Sequence, residues 1–295
     1  MGLCSTPLAL LLVIAWDVEA LVVGRPQQGV GRALPASALT SSSGEESTSM
    51  AEVYDSLAKR VVGAREARGL SQYWVGCAGG PGAGKSTVAA GVARSCEALG
   101  VRAVVLPMDG YHFSREQLRK KDPPDGVRYL ARRGAPHTFD AEAFVRDLRK
   151  AKAQGRASLP TYSRELSDPV PDAVPLADTD EVVLVEGNYL LLGFLAEEEE
   201  DDVREEARRW KGLLCDKGND LFDETWFVYP RGGVDEQRPR LVQRHLETWT
   251  DAKTAAWDAT SPEDGATKRT DFNDLPNAKL VERTRPFADL QIETS

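Results

Sequence analysis

The chain has 295 residues, of which 41% are hydrophobic and 28% are charged, and its formal net charge is −9. This length and composition suit one large or two small domains with a sizeable core. The negative charge argues against nucleic acid or an anionic membrane as a general partner, because such partners require broad basic surfaces.

Residues 1–50 differ in composition from the rest and are predicted to be a leader, followed by one folded domain over residues 51–295. Residues 7–16 are almost wholly apolar, about half of the ~20 residues that a spanning helix needs, and they fit the core of a signal peptide. Residues 21–44 contain arginines and serines but no acidic residue, as transit peptides do.

This leader predicts import into a plastid or another organelle, with no membrane span in the mature chain. The alternative is a disordered leader on a cytoplasmic protein.

Helix and strand patterns alternate after the leader, which predicts an α/β fold with a mostly parallel sheet and helices on both faces. Val53, Leu57 and Val61 give the first helix an apolar side, and Gly69 ends it. A short apolar strand follows at residues 73–78, and a second helix then runs to Gly100.

The segment between that strand and that helix matches the phosphate-loop pattern GxxxxGK[ST] and its following threonine. It comprises Gly79, Gly80, Pro81, Gly82, Ala83, Gly84, Lys85, Ser86 and Thr87. The glycines let backbone N–H groups converge on phosphate oxygens. We expect Lys85 to reach the β- and γ-phosphates and the Ser86 hydroxyl to bind Mg²⁺. The segment therefore predicts a P-loop NTPase-type fold that uses ATP and Mg²⁺.

The next strand, predicted over residues 101–106, leads to Asp109 at the edge of the sheet where α/β proteins bind ligands. Phosphoryl transfer to an alcohol needs alignment, charge neutralisation and an acceptor for the hydroxyl proton. Asp109 is the candidate for that catalytic base, and a turn residue before Gly110 is the alternative. His112 is a candidate substrate contact, although a single histidine is more often a local hydrogen-bonding group.

A further helix is predicted from its cap Asp140 to Gly155, and the Pro-rich residues 159–175 are predicted to be loop. Three further strands are predicted at residues 181–186, 225–229 and 288–292. The first of them ends in Glu186, a second candidate ligand for magnesium.

A helix is predicted to begin at Pro239. Its apolar side would carry Leu241, Val242, Leu246 and Trp249. Arg240 and Arg244 share another side and repel one another unless an anion such as a nucleotide polyphosphate lies between them. The alternative is that both side chains are simply solvated.

The four cysteines are scattered, with neither a CxxC pair nor metal-ligand spacing, so we expect core thiols. They are Cys4, Cys77, Cys96 and Cys215.

Other classes of nucleotide-binding protein lack their markers in this sequence. The NKxD and DxxG elements of guanine-specific switches are absent, and the strand at 181–186 is followed by Gly187 instead of ending in the Asp-Glu pair of motor ATPases. We therefore predict an ATP-dependent kinase, a phosphotransferase with an alcohol group as acceptor. A nucleotide-binding regulatory ATPase without a small-molecule acceptor is the alternative.

Five segments together resemble the phosphoribulokinase/uridine kinase family of P-loop kinases, above all its pantothenate-kinase-like and uridine-kinase-like members. They are residues 79–87, 108–113 (MDGYHF), 132–140 (RRGAPHTFD), 162–169 and 185–192 (VEGNYLLL). The resemblance covers about residues 52–293.

The resemblance implies roles for individual residues. Asp109 would be the base, Glu186 would help to organise Mg²⁺, and Arg240 and Arg244 would close over the phosphates as part of a lid. The implied acceptor pocket contains His137, Tyr162 and Arg164. Asn273 would lie near the nucleotide base.

The expected partners are ATP and a small-molecule hydroxyl acceptor, and a homodimer is left open. The acceptor could be a nucleoside, a sugar or sugar phosphate, a pantothenate-like acid or a glycerate-like acid. Arg132, Arg133 and Arg164 favour an acidic or phosphorylated acceptor, because a guanidinium binds carboxylate or phosphate in a planar fork.

Overall fold

The computed structural model describes residues 49–121, 129–197, 201–213 and 221–294. Five parallel strands form one sheet with the order β2-β5-β1-β6-β7, and β3 and β4 form a separate antiparallel hairpin. The strands are β1 Tyr73–Ala78, β2 Ala103–Pro107, β3 Ala157–Ser163, β4 Asp168–Leu176, β5 Val182–Gly187, β6 Glu224–Pro230 and β7 Leu290–Thr294.

Helices cover both faces of the sheet, as the alternating sequence pattern predicts. They are α1 Met50–Arg68, α2 Lys85–Ala98, α3 Arg115–Lys121, α4 Ala141–Gln154, α5 Asp201–Trp210, α6 Gly233–Leu246, α7 Asp251–Ala256, α8 Pro262–Arg269 and α9 Leu275–Glu282. One turn of π-helix, Thr270–Asp274, joins α8 to α9.

Two hydrophobic clusters form the core, one on each face of the sheet. Successive residues of a strand point to opposite faces, so β1 sends Val75 and Cys77 towards α1 and α2 but Trp74 and Ala78 towards the other cluster, which includes residues of α4, α5 and α9. The middle strands β1 and β5 are buried along their whole length, as expected for strands covered on both faces.

Several predicted element boundaries are confirmed. Gly69 follows α1 in the left-handed conformation at φ 61°, and Asp140 caps α4 by accepting a hydrogen bond from the Ala143 N–H. Gly155 follows the end of α4, also in the left-handed conformation. Ser49, the N-cap of α1, closes a capping box with Glu52, so the folded part includes Ser49.

The prediction of loop for residues 159–175 is wrong, because most of this segment forms the β3–β4 hairpin. Its prolines suggested a loop, since proline cannot donate a hydrogen bond to a central strand. In a two-stranded sheet both strands are edges, where proline is tolerated. The pairing also shifts between Leu159 and Thr161, around Pro160.

The predicted start of the lid helix is also wrong, because α6 begins at Gly233 and Pro239 lies inside it. The Glu236 carboxylate accepts a hydrogen bond of 2.8 Å from the Gly232 N–H and holds the first turn before the proline. Trp249 lies beyond the helix, and its indole N–H donates to the Thr254 hydroxyl at 2.9 Å. It therefore does not belong to the apolar side of α6.

Within the described residues, no helix is long and apolar enough to cross a membrane. Cys77 and Cys96 are buried free thiols, as predicted, whereas Cys4 and Cys215 lie outside the described residues. Burial raises the pKa of Cys77 to about 12 and that of Cys96 to about 11. These two thiols are therefore held in the unreactive protonated form.

Candidate active site

The predicted phosphate loop connects β1 to the first turn of α2, the context that the motif requires. Gly84 precedes the helix at φ 92°, a conformation that side-chain-bearing residues rarely adopt. At Gly79, a Cβ atom would lie only 2.5 Å from the Val228 carbonyl oxygen, so the loop packs directly against β6. Both glycines are thus required by the path of the backbone.

Helix α6 and strand β7 hold the loop from outside. A Cβ atom at Gly80 would lie 3.1 Å from the Gln237 amide nitrogen, so this buried side chain packs on the loop. Leu241, one turn later, packs on Gly82 in the same way. The Thr294 hydroxyl donates to the Ala83 carbonyl at 3.1 Å. These supports fix the loop backbone in place before any ligand binds.

Lys85, Ser86 and Glu186 meet at one end of this loop. The Lys85 ammonium donates to the Gly80 carbonyl at 3.4 Å, across the concave side of the loop. The Ser86 hydroxyl donates to the Glu186 carboxylate at 3.1 Å. Burial raises the pKa of Glu186 above its ordinary value, although the charge of Lys85 acts in the opposite direction.

The strand register places Asp109 beside this group. Pro107 at the end of β2 lies opposite Glu186 of β5, and Asp109 follows in a short 3₁₀ turn, Met108–Tyr111. Asp109 is exposed, whereas Glu186 is only 8% exposed. The charge of Asp109 acts on Glu186 beside the phosphate loop, on His112 and on Tyr162 of the hairpin.

Aromatic rings from the hairpin and from the residues after Asp109 pack together. We call this group, His112, Phe139 and Tyr162, the aromatic wall. The ring centroid of His112 lies 3.9 Å from that of Phe139 and 5.0 Å from that of Tyr162. The His112 Nδ1–H donates to the Asp109 carbonyl at 2.8 Å, which fixes the ring. Burial lowers the pKa of His112, so the neutral ring is favoured.

Arg133 ties this wall together, a role that the sequence did not reveal. Its guanidinium lies 5.4 Å from the Tyr162 ring centroid and donates to the Asp168 carboxylate at 2.8 Å. It also donates to the carbonyl oxygens of Phe113 and Ser167. Arg132 likewise donates to a backbone oxygen, that of Phe272. Two of the three arginines predicted to favour an anionic acceptor, Arg132 and Arg133, therefore already make internal contacts.

His137 lies apart from the wall. Its Nδ1 is 3.9 Å from the Glu206 carboxylate, and its ring packs edge-on against Tyr129 at 5.5 Å. Within the predicted acceptor element, residues 132–140, it is Phe139 and not His137 that packs on His112. Arg164 is exposed between β3 and β4, and its charge acts on Glu186.

The two predicted lid arginines differ in their contacts. Arg240 pairs with Glu236 one turn earlier on α6. Arg244 has no ion pair with any residue in the described ranges, and its positive charge acts on Arg269. Asn273 lies in the π-helical turn and donates to the Arg133 carbonyl at 2.7 Å. This contact connects Asn273 to the aromatic wall, and its predicted approach to a nucleotide base stays a prediction.

Sequence reasoning missed Gln237, Thr294 and Arg269. Gln237 and Thr294 act through backbone packing, for which no local motif exists. The only sequence signal for Arg269 is its position four residues before Asn273, a predicted site residue.

The chain is similar to a protein of Schizosaccharomyces pombe named "Putative uridine kinase C227.14". The two are 31% identical over 244 residues, which cover 81% of this chain and 90% of that protein. The chain belongs to the uridine kinase-like family of P-loop kinases. As a member of this family it is an ATP-dependent small-molecule kinase, which transfers phosphate to a hydroxyl group.

Two further comparisons agree with this assignment. An Aspergillus versicolor protein, "ATP-dependent kinase-like protein notR'", is 36% identical over half of this chain and 77% of its own length. A crystal structure described as "putative fructose transport system kinase" from Silicibacter sp. TM1040 has a TM-score of 0.61 at 28% identity, covering 81% of this chain and 98% of that one. No family model matches the chain.

A D-glycerate 3-kinase structure from Cryptococcus neoformans shares the fold, with a TM-score of 0.51 and 14% identity over 83% of this chain and 89% of that one.

Proposed function

We propose that Asp109 is the general base that accepts a proton from the acceptor hydroxyl while the γ-phosphoryl group of ATP is transferred. The observation that carries this proposal is the place of Asp109 in the fold: it follows Pro107, which lies opposite Glu186 in the sheet, and its carbonyl holds His112, whose ring packs on Tyr162. A base must reach the attacking hydroxyl and the terminal phosphate together.

The phosphate loop supplies the binding site for ATP in this proposal. Lys85 lies across the concave side of the loop, where its ammonium neutralises phosphate charge. Arg244 and Arg240 on α6 add positive charge near the same loop, because Gln237 and Leu241 of that helix pack on it. Binding of the triphosphate would draw Arg240 away from Glu236.

Ser86 and Glu186 fit Mg²⁺. One hydroxyl oxygen and one carboxylate oxygen lie 3.1 Å apart beside the loop, and Mg²⁺ in kinase sites is held by few protein oxygens together with phosphate. When bound, the ion neutralises charge on the β- and γ-phosphates.

The acceptor would lie against His112 and Tyr162, with its hydroxyl towards Asp109. A neutral His112 offers no charge repulsion and presents the ring face and Nε2 to the acceptor. The relatives are named for uridine, pantothenate and fructose transport, so a hydroxyl on a polar metabolite is their shared chemistry.

The test is ADP release by purified protein in the presence of MgATP and a panel of hydroxylated metabolites, with mass spectrometry of the products. We expect one acceptor class to stimulate ADP release strongly and to gain the mass of one phosphate. Stimulation that survives in Asp109→Asn, or unchanged basal release with every acceptor, would refute the proposal.

A further inference from the structure

Buried polar atoms without hydrogen-bond partners gather around the π-helical turn Thr270–Asp274. Within the described residues, seven such side-chain atoms exist, and four of them belong to this neighbourhood. They are Arg133 Nε, Arg269 Nε, Thr270 Oγ1 and Asn273 Oδ1. Thr270 is fully buried and Asn273 is 2% exposed. Such groups are costly unless something satisfies them, so this concentration indicates a ligand.

Arg269 is the uncompensated cation of this cluster. It forms no ion pair with any residue in the described ranges. Asp274 is the carboxylate whose charge acts on it most strongly. The Asp274 carboxylate is itself engaged at 2.6 Å by the His245 ring. Arg244 and Arg133 add positive charge around Arg269, and burial together with these charges lowers its pKa.

The cluster adjoins the acceptor side of the site. Asn273 donates to the Arg133 carbonyl at 2.7 Å, and the Arg133 guanidinium lies 5.4 Å from the Tyr162 ring centroid. Tyr162 packs on His112 with ring centroids 5.0 Å apart, and the charge of Arg269 acts on Tyr162. By contrast, the groups that dominate the environment of Glu186 are Lys85, Asp109, Ser86 and Arg164.

We propose that the acceptor is a small hydroxylated anion, and that Arg269 binds its carboxylate or phosphate beside Tyr162. This inference rests on the proposed function, since it names the class of acceptor for that site. A guanidinium pairs with such a group through two parallel hydrogen bonds, and an anion would relieve the mutual repulsion among Arg133, Arg244 and Arg269.

The γ-phosphate of ATP is the other anion that could reach Arg269. Kinetics distinguish the two anions. If Arg269 binds the γ-phosphate, loss of Arg269 would raise the KM for ATP instead of the KM for the acceptor.

The first experiment compares matched acceptors at saturating MgATP: D-glycerate with glycerol, pantothenate with pantothenol, and ribose 5-phosphate with ribose. We expect phosphorylation of an anionic member and a much lower rate for its neutral partner. A preference for neutral acceptors, including uridine, would overturn this inference while leaving the proposed function intact. Phosphorylation of no acceptor at all would overturn both.

The second experiment uses Arg269→Gln and Arg269→Lys. With the anionic acceptor, we expect Arg269→Gln to lower kcat/KM by about 30- to 1,000-fold, mainly through the KM for the acceptor. The KM for ATP should stay within about twofold, and Arg269→Lys should recover part of the loss because it keeps the charge. The control is Arg146→Gln, which removes an exposed arginine of α4 that pairs with Asp147.

Equal kinetics for Arg269→Gln and the control, or a change confined to the KM for ATP, would overturn the inference. If Arg269→Gln does not fold, inhibition of the wild-type protein by inorganic phosphate tests the proposal instead. At saturating MgATP the phosphate loop is filled, so inorganic phosphate should inhibit competitively against the anionic acceptor. Absence of this competition would contradict the proposal.

Discussion

Asp109 and Glu186 are neighbouring carboxylates in different environments. Asp109 is exposed after the end of β2, whereas Glu186 is buried and hydrogen-bonded to Ser86. An exposed carboxylate can receive an incoming hydroxyl, and a buried one that already contacts the loop serine is placed to hold a cation. The two acids therefore have separate tasks in the proposed reaction.

Replacement of Asp109 by Asn removes the proposed base while keeping the shape of the side chain. We expect kcat to fall by about 10²- to 10⁴-fold, with the affinity for ATP nearly unchanged. Single-turnover rates and ATP titration would measure the two effects. Equal losses of turnover and of ATP affinity would assign Asp109 to nucleotide binding instead.

Replacement of Glu186 by Gln should affect the metal requirement. We expect the Mg²⁺ concentration for half-maximal activity to rise by about 10- to 100-fold, because a carboxylate ligand is lost. A matched control is Glu181→Gln, which removes the carboxylate that pairs with Arg65 at 2.6 Å just before β5 begins. The same Mg²⁺ dependence in both variants would rule out the metal role of Glu186.

His112 should make stability depend on pH. Because burial lowers its pKa in the folded state, the unfolded chain binds a proton near pH 6.5 that the folded chain does not. Stability from this group is therefore lost as the pH falls below about 6.5, by about 1.4 kcal/mol for each unit of pKa depression. His112→Asn keeps a hydrogen-bond donor but does not titrate.

Urea unfolding of both proteins at pH 7.5 and pH 5.5 checks this prediction. We expect the wild-type protein to lose more stability than His112→Asn between the two pH values. Parallel losses would show that His112 does not contribute.

At the level of elements, the contact between the 3₁₀ turn and the hairpin positions the proposed base. A Cβ atom at Gly110 would lie 2.3 Å from the Pro160 carbonyl oxygen, which is backbone and cannot rotate away. We expect Gly110→Ala to lower the free energy of unfolding by about 1–3 kcal/mol and to lower kcat, because β3 and Asp109 must move apart.

Gly63→Ala is the matched control for this substitution. Gly63 lies within α1, and a Cβ atom there would meet nothing within 4 Å. Since alanine favours a helix over glycine, stability should rise by about 0.5–1 kcal/mol. Chemical denaturation and steady-state kinetics measure both variants, and unchanged turnover in Gly110→Ala would separate the hairpin contact from catalysis.

The sequence predicted those elements whose signals are local. The phosphate loop, the helix stops at Gly69 and Gly155 and the strand that ends in Glu186 each follow from a few neighbouring residues. The β3–β4 hairpin could not be predicted, because its prolines become acceptable only once both strands are edges of a two-stranded sheet.

The same distinction between local and distant signals applies to the residues of the candidate site. Lys85, Ser86, Asp109 and Glu186 could be placed from motifs and strand ends. Arg269 could not, because its isolation depends on contacts made by other residues, such as the pairing of Asp274 with His245.

At the level of the whole molecule, residues of α1 belong to one of the two described core clusters, and Ser49 caps that helix. We expect a fragment of residues 49–295 to fold and to keep full kinase activity. A fragment of residues 51–295 should lose about 0.5–2 kcal/mol of stability with its capping box, and thermal unfolding would measure the difference. Inactivity of the longer fragment would show that residues 1–48 take part in the fold.

Residues 1–48 lie outside the described residues, so import into an organelle stays a prediction, as does a homodimer.

The β3–β4 hairpin shares no strand pairing with the parallel sheet among the described strands. It carries Tyr162, whereas the sheet carries the loop and the strand ends that serve the phosphoryl donor. Under the proposed function, substitutions in this hairpin would therefore change which metabolite is accepted while leaving the phosphate loop intact.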